Sequence, residues 1–349
     1  MTTHVTGVAL GGVGGFNAHD AGVLKAMHDC QLQPDIITCT SGAIYWVHQY
    51  LTDPRGIPEK VRQQADQVRG SNAVAVAVTG IPGIFTPAYL QYVKRWLTPW
   101  SSVSIRELLD RMLPAQVFQP TRTKADFTAI ADALNEARVP IVFNSYSISH
   151  GRETLYCNPA AFEFLGVSPD TAEHRVPGRH SPTRYGPIDD GAVTAALWLV
   201  LYGMDHRYKG EVVIDGAYHR QLIVAELANC DTVYAVKPQS DGWHAAPPAN
   251  YFEVQDFNTE MWFNSSFAAE VAALQQISGD PDPTHHHEPA TGVLQLFRRE
   301  DQELHRGLPA GQETLRTRSP IAPGRRLTLD RRVFASLLAY WDPRPIWRC

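Results

Sequence analysis

The apolar positions change period along the first fifty residues. Val5, Val8, Ala9 and Leu10 form a short apolar run, the mark of a buried strand. Beyond a glycine cluster, Ala18, Ala21, Leu24 and Met27 recur at helical spacing. Pro34-Asp35 opens a second strand, Ile36-Ile37-Thr38-Cys39. Ile44, Val47 and Leu51 then share one helical face, and Asp53-Pro54-Arg55-Gly56 closes that segment. Strand, helix, strand, helix in this order predicts an α/β fold, with a mostly parallel central sheet flanked by helices in three layers.

Farther along, Ala73 to Val78 alternates alanine and valine until Gly80-Ile81-Pro82-Gly83 breaks the run. Tyr89, Tyr92, Val93 and Trp96 make an aromatic helical stripe beside Lys94 and Arg95, a pattern that suits either a core or a lipid interface. The pattern predicts a helix over Ile105 to Met112. It predicts a strand over Pro140 to Ser147, paired as a hairpin with Thr154 to Cys157 across His150-Gly151-Arg152. Ser168 to Pro187, with prolines at 169, 177, 182 and 187, reads as a long loop. Ala192 to Tyr202 reads as an apolar helix, Glu211 to Ile214 as a strand ending at Asp215-Gly216, and Asp231 to Pro238 as a further strand. Ser278 to Gly292 reads as a loop, and a basic helix is expected after Pro323, with Val333, Leu337, Leu338 and Trp341 on it. No internal repeat is visible. The expected organisation is one domain over 1–275 and an extension over 276–349 packed on it.

Composition narrows the classes. With 44% hydrophobic and 19% charged residues in 349, the chain can bury a sizeable core. A net charge of −5 gives no reason to expect nucleic acid as a partner. Met1-Thr2-Thr3-His4 lacks the basic start of a signal peptide, and no apolar run approaches the ~20 residues of a membrane span, so the expected location is the cytoplasm. Secretion by a route that reads no N-terminal peptide stays open. The five cysteines (Cys30, Cys39, Cys157, Cys230 and Cys349) form no C-x-x-C pair, which points to free thiols. No cofactor or metal is called for. His285-His286-His287 suits a solvated loop better than a metal site.

Three segments carry candidate chemistry. Ser41 lies in Cys39-Thr40-Ser41-Gly42-Ala43, between a strand and a helix, where a tight turn can hold a nucleophile. The same place also suits a serine N-cap. Gly11-Gly12-Val13-Gly14-Gly15 lets backbone N–H groups face an anion, either a phosphate or the oxyanion of acyl transfer. A dinucleotide fingerprint fits poorly, because Asn17 stands where a third glycine is needed. A P-loop is excluded by the absence of Gly-Lys-Ser/Thr. Asp215-Gly216-Ala217 ends a strand, where functional carboxylates of open α/β sheets tend to sit. His219, close behind Asp215, and His244 are the candidates for the histidine of an ordinary triad. Cys39 is a rival nucleophile to Ser41.

Together these segments resemble the patatin-like phospholipase family. The resemblance runs through LGGVGGFNAHDAGVLKAM at Leu10 to Met27, ITCTSGAI at Ile37 to Ile44 and IDGA at Ile214 to Ala217, and covers roughly residues 5–240. It departs from the family at Phe16, where a basic residue is usual, and at Asn17, Cys39 and Ala43, where glycine is usual. The resemblance implies a patatin-like serine acyl hydrolase with a Ser41–Asp215 dyad and no catalytic histidine. It implies an oxyanion hole from Gly12, Val13, Gly14 and Gly15, and a lipid or acyl-ester substrate. Peripheral membrane contact is instead an expectation of the aromatic stripe and of the terminal basic segment with Arg325, Arg326, Arg331 and Arg332. Two alternatives share the fold: an impaired acyl-binding protein, and an acyltransferase or thioesterase using the same dyad.

Overall fold

The computed structural model describes residues 4–12, 18–68, 79–81, 83–99, 104–112, 115–173, 182–237, 243, 247–249, 251–278 and 326–327. The chain enters through β1 (Thr6–Leu10), α1 (Ala18–Asp29), β2 (Ile36–Cys39), α2 (Ala43–Thr52) and α3 (Ile57–Val68). Next come β3 (Phe85–Pro87), α4 (Tyr89–Leu97), α5 (Ile105–Met112), β4 (Phe118–Pro120) and α6 (Lys124–Glu136). Then follow β5 (Ile141–Ser147), β6 (Arg152–Cys157), α7 (Pro159–Leu165), β7 (Ala172–Glu173), β8 (Thr183–Pro187) and α8 (Asp190–Ala196). β9 (Arg207–Tyr208), β10 (Glu211–Asp215), β11 (Thr232–Val236), α9 (Tyr251–Ser278) and β12 (Arg326–Leu327) complete it.

The fold is α/β, with a mostly parallel central sheet in the order β12-β11-β1-β2-β5-β6-β8-β7. Strands β12 through β5 run parallel, β6 pairs parallel with β8, and the β5–β6 and β7–β8 pairs are antiparallel. Side chains alternate across the sheet as the two-residue period demands. Val8, Leu10, Ile37, Cys39, Ile141 and Phe143 face a core shared with α1, α2, α6 and α8. Ala9, Ile36 and Val142, their neighbours in sequence, face the opposite core with Phe267, Val271 and Leu274 of α9. Strands buried on both faces read as near-continuous apolar runs, which is why β1 and β2 were legible.

One feature of the topology places the chemistry. β2 runs parallel to β5 and ends with Cys39 opposite Phe143. β10 runs antiparallel to β5 and ends with Asp215 opposite Ser145. The two strands thus approach each other end to end along β5. The turns that leave them, at Thr40-Ser41 and Gly216-Ala217, meet over Asn144.

Several expectations change. The helix expected over Ala192 to Tyr202 begins at Asp190, N-capped by the Asp189 side chain, and ends at Ala196. The apolar residues after it turn aside, with Trp198 Nε1–H donating to the Gly203 carbonyl at 2.9 Å. The Ser168–Pro187 segment is not all loop, because Thr183–Pro187 pairs with β6. Helix α9 was not anticipated, although Phe263, Phe267, Val271 and Leu274 recur at helical spacing and are buried. α6 also carried an unread signal: Thr123 and Asp126 form a reciprocal capping box. The Ala73–Val78 run, His244, His285-His286-His287 and nearly all of 276–349 lie outside the described residues. Of the expected basic helix, only Arg326–Leu327 is described, as a strand on β11. Among the described residues, no helix is long and apolar enough to cross a membrane.

The aromatic stripe is not core. The β3–β4 ribbon carries α4 and α5 as a helical hairpin. Arg111 binds them together, donating to the carbonyls of Arg95 and Thr98, at 2.5 and 2.9 Å, and to Glu107. No residue of α4 is buried. Leu90, Leu97 and Ile105 are 76%, 77% and 78% exposed, and Tyr89, Tyr92 and Trp96 are exposed beside them.

Candidate active site

The elbow is built from the end of β2. Thr40 leaves the strand, and Ser41 adopts φ +50° before α2 begins. A residue with a Cβ in the left-handed region costs ~1–2 kcal/mol, and such strain persists only where the surroundings hold it. Thr40 is what holds it. Its N–H donates to the Leu10 carbonyl at 3.1 Å, its Oγ1–H donates to the Gln221 carbonyl at 2.7 Å, and its Oγ1 accepts from the Gly12 N–H at 2.6 Å. Thr40 therefore ties together the glycine segment, the elbow and the chain beyond Asp215. A Cβ at Gly12 would lie 1.9 Å from the Thr40 carbonyl oxygen, so only glycine fits there.

Ser41 Oγ–H donates to Asp215 Oδ2 in a short hydrogen bond. The other carboxylate oxygen, Oδ1, accepts from the Ala217 N–H at 2.9 Å. Ser41 is 2% exposed and Asp215 1%, so water does not compete for the pair. Burial pushes the Asp215 carboxyl up to about 7, against the downward pull of the Ser41 hydroxyl and the Ala217 amide. A carboxylate in that range takes and returns a proton near neutral pH.

Gly216 lets the turn pass close to Asn144. A Cβ there would meet Asn144 Oδ1 at 2.3 Å and its backbone carbonyl carbon at 2.7 Å. Asn144 Nδ2 donates to Glu153 Oε1 at 2.8 Å and to the Arg220 carbonyl at 3.0 Å. Arg220 is wholly buried among three carboxylates: Glu226 at 2.6 Å, Glu270 at 2.7 Å and Glu153 at 3.3 Å. Glu270 belongs to α9, so the unanticipated helix anchors the scaffold behind Asp215.

A cleft of about 370 Å³, counting space open to solvent, lies over the elbow. Ser41 and Gly42 form its floor. Ile84 and Pro120 come from the ends of the β3–β4 ribbon, Phe127 from α6, and Leu197, Leu199 and Tyr202 from the chain after α8. Arg122 supplies a cation to this otherwise apolar wall. None of these wall residues was singled out from the sequence. The Leu197–Tyr202 stretch was visible only as an apolar run, and the one local signal beside Arg122, the Thr123 capping box, went unread.

The sequence-predicted residues divide in three ways. Ser41 and Asp215 come together. The Gly12 N–H is spent on Thr40, so its part is close packing rather than an open donor. Val13, Gly14, Gly15, Phe16 and Asn17 lie outside the described residues. The Gly42 N–H, at the floor of the cleft and ahead of α2, makes no hydrogen bond among the described residues. The residue after a nucleophile is a recurrent oxyanion donor. Cys39 is fully buried, and burial together with Asp20 pushes its thiol up, which removes it as a rival nucleophile. His219 stacks its ring on Tyr146, with centroids 4.5 Å apart. Among the described residues, no cluster of His, Cys, Asp and Glu is placed to hold a metal ion.

Set against known families, the chain matches no family model, and no curated protein matches it.

Proposed function

We propose that this protein is a serine ester hydrolase of the patatin-like kind, acting on lipid acyl esters through Ser41 and Asp215. The observation that carries the reading is the buried hydrogen bond from Ser41 Oγ to Asp215 at a left-handed elbow. As Ser41 Oγ bonds to the ester carbonyl carbon, Asp215 takes its proton and the carbonyl electron pair moves onto oxygen. In this mechanism the Gly42 N–H, at the start of α2, receives that negative charge. Collapse expels the alcohol, which takes the proton from Asp215 and leaves an acyl-serine. Water then attacks, Asp215 accepts its proton, and Ser41 leaves with that proton as the acid is released.

Two features support a lipid substrate. The cleft wall is mostly apolar, which suits an acyl chain. The hairpin whose ribbon forms part of that wall exposes Tyr, Trp and Leu beside Lys94 and Arg95, the composition of a surface that settles on lipid head groups. The test is a fluorophosphonate probe, followed by mass spectrometry of the labelled peptide. Wild type should be labelled on Ser41, and Ser41→Ala should not react. Equal labelling of the two proteins, or none of wild type, overturns the proposal.

A further inference from the structure

Arg122 stands out among the arginines that are buried or half-buried in the described residues. Arg111 pairs with Glu107 at 2.9 Å, Arg152 with Glu211 at 2.8 Å, Arg184 with Asp170 and Glu211, and Arg220 with three glutamates. Arg122 has no carboxylate oxygen within 4.0 Å among the described residues, and its guanidinium makes no hydrogen bond there. The carboxylate that acts on it electrostatically, Asp126, is turned to its own helix cap, accepting from Thr123 N–H at 2.7 Å and Thr123 Oγ1–H at 2.8 Å.

The guanidinium is nevertheless held in place. Its carbon lies 4.3 Å from the centroid of the Tyr45 ring, a cation–π contact that covers one face of the group. Stacking by a face leaves the edge, with its fork of N–H donors, free for a planar or tetrahedral anion. A partly desolvated cation is costly when no anion offsets it, and this one, with no carboxylate partner among the described residues, lines the same cleft as Ser41 and Gly42. We propose that Arg122 is the recognition residue for an anionic group on the substrate, a phosphate or a carboxylate. On the hydrolase reading, the preferred ester is then an acyl compound bearing such a group rather than a neutral glyceride.

The inference rests on that reading only for the word ester, and its test is one of binding. Ser41→Ala protein, which cannot turn over, is titrated calorimetrically with decyl phosphate, decanoate and 1-decanoylglycerol. At least one of the two anions should bind tenfold or more tighter than the neutral glyceride, and the tighter of them identifies the anion. Adding Arg122→Gln should remove the preference by weakening the anions tenfold or more relative to the glyceride, and Arg122→Lys should keep part of it. Equal affinity for anionic and neutral ligands, no saturable binding of either anion, or equal weakening of all three ligands by Arg122→Gln overturns the proposal. Fluorophosphonate labelling of the wild type separates the two claims. Arg122-dependent binding without labelling leaves the anion site and removes the hydrolase. Labelling without Arg122-dependent binding does the reverse.

Discussion

Replacing Asp215 by asparagine keeps the shape of the side chain and removes both its charge and its basicity. The folded carboxyl titrates near 7 against an ordinary value of 3.8, with burial as the main cause. Between those values the folded protein holds a proton that the unfolded chain has lost, so stability falls as pH rises. The slope is about 1.4 kcal/mol per pH unit, and the fall reaches roughly 4 kcal/mol once pH exceeds the folded value. Asparagine has no such slope. It leaves the Ala217 N–H or the Ser41 hydroxyl less well matched, but that offset does not vary with pH. Urea unfolding at pH 5, 6, 7 and 8 should therefore show wild type losing roughly 2–3 kcal/mol relative to Asp215→Asn over that range. The same samples give the chemical readout. The amide can accept the Ser41 hydrogen bond but not its proton, so fluorophosphonate labelling should fall by about 10²–10⁴-fold. Wild-type labelling should itself rise with pH through about 7, as the carboxylate forms. Parallel stability curves for the two proteins, or labelling of Asp215→Asn at the wild-type rate, would refute the reasoning.

Two further substitutions test the scaffold. Gly216→Ala puts a Cβ 2.3 Å from Asn144 Oδ1 and 2.7 Å from its backbone carbon, so the turn must move. It should lower the unfolding free energy by about 1–3 kcal/mol and slow labelling at Ser41 as Asp215 shifts with it. Arg220→Met strands Glu153, Glu226 and Glu270 in the interior, and should cost about 3–5 kcal/mol in urea unfolding at pH 7. That loss should shrink as pH falls and the stranded glutamates become protonated.

Hydrophobic period, punctuated by the glycine cluster, Pro34-Asp35 and Asp53-Pro54-Arg55-Gly56, determined the α/β class, because strands buried on both faces and helices with one apolar face leave different spacings. It also placed β1, β2, β5 and β10, and with them Ser41 and Asp215 at strand ends. What it could not determine was contact between segments 174 residues apart. Nothing local in Val212-Val213-Ile214 says that β10 runs against β5 and stops where β2 stops. Pairing direction is set by the whole sheet, and here it brings the Ser41 and Asp215 turns together over Asn144. The proton affinity of Asp215 is likewise tertiary, since burial makes the largest contribution to it. The same holds for Gly12, whose amide is read from sequence as an open donor and is consumed by Thr40 in the fold. Arg122 makes the point most sharply. In sequence it is one arginine among many, and only the packing of α2, α6 and the chain after α8 leaves it in the cleft with no carboxylate beside it among the described residues.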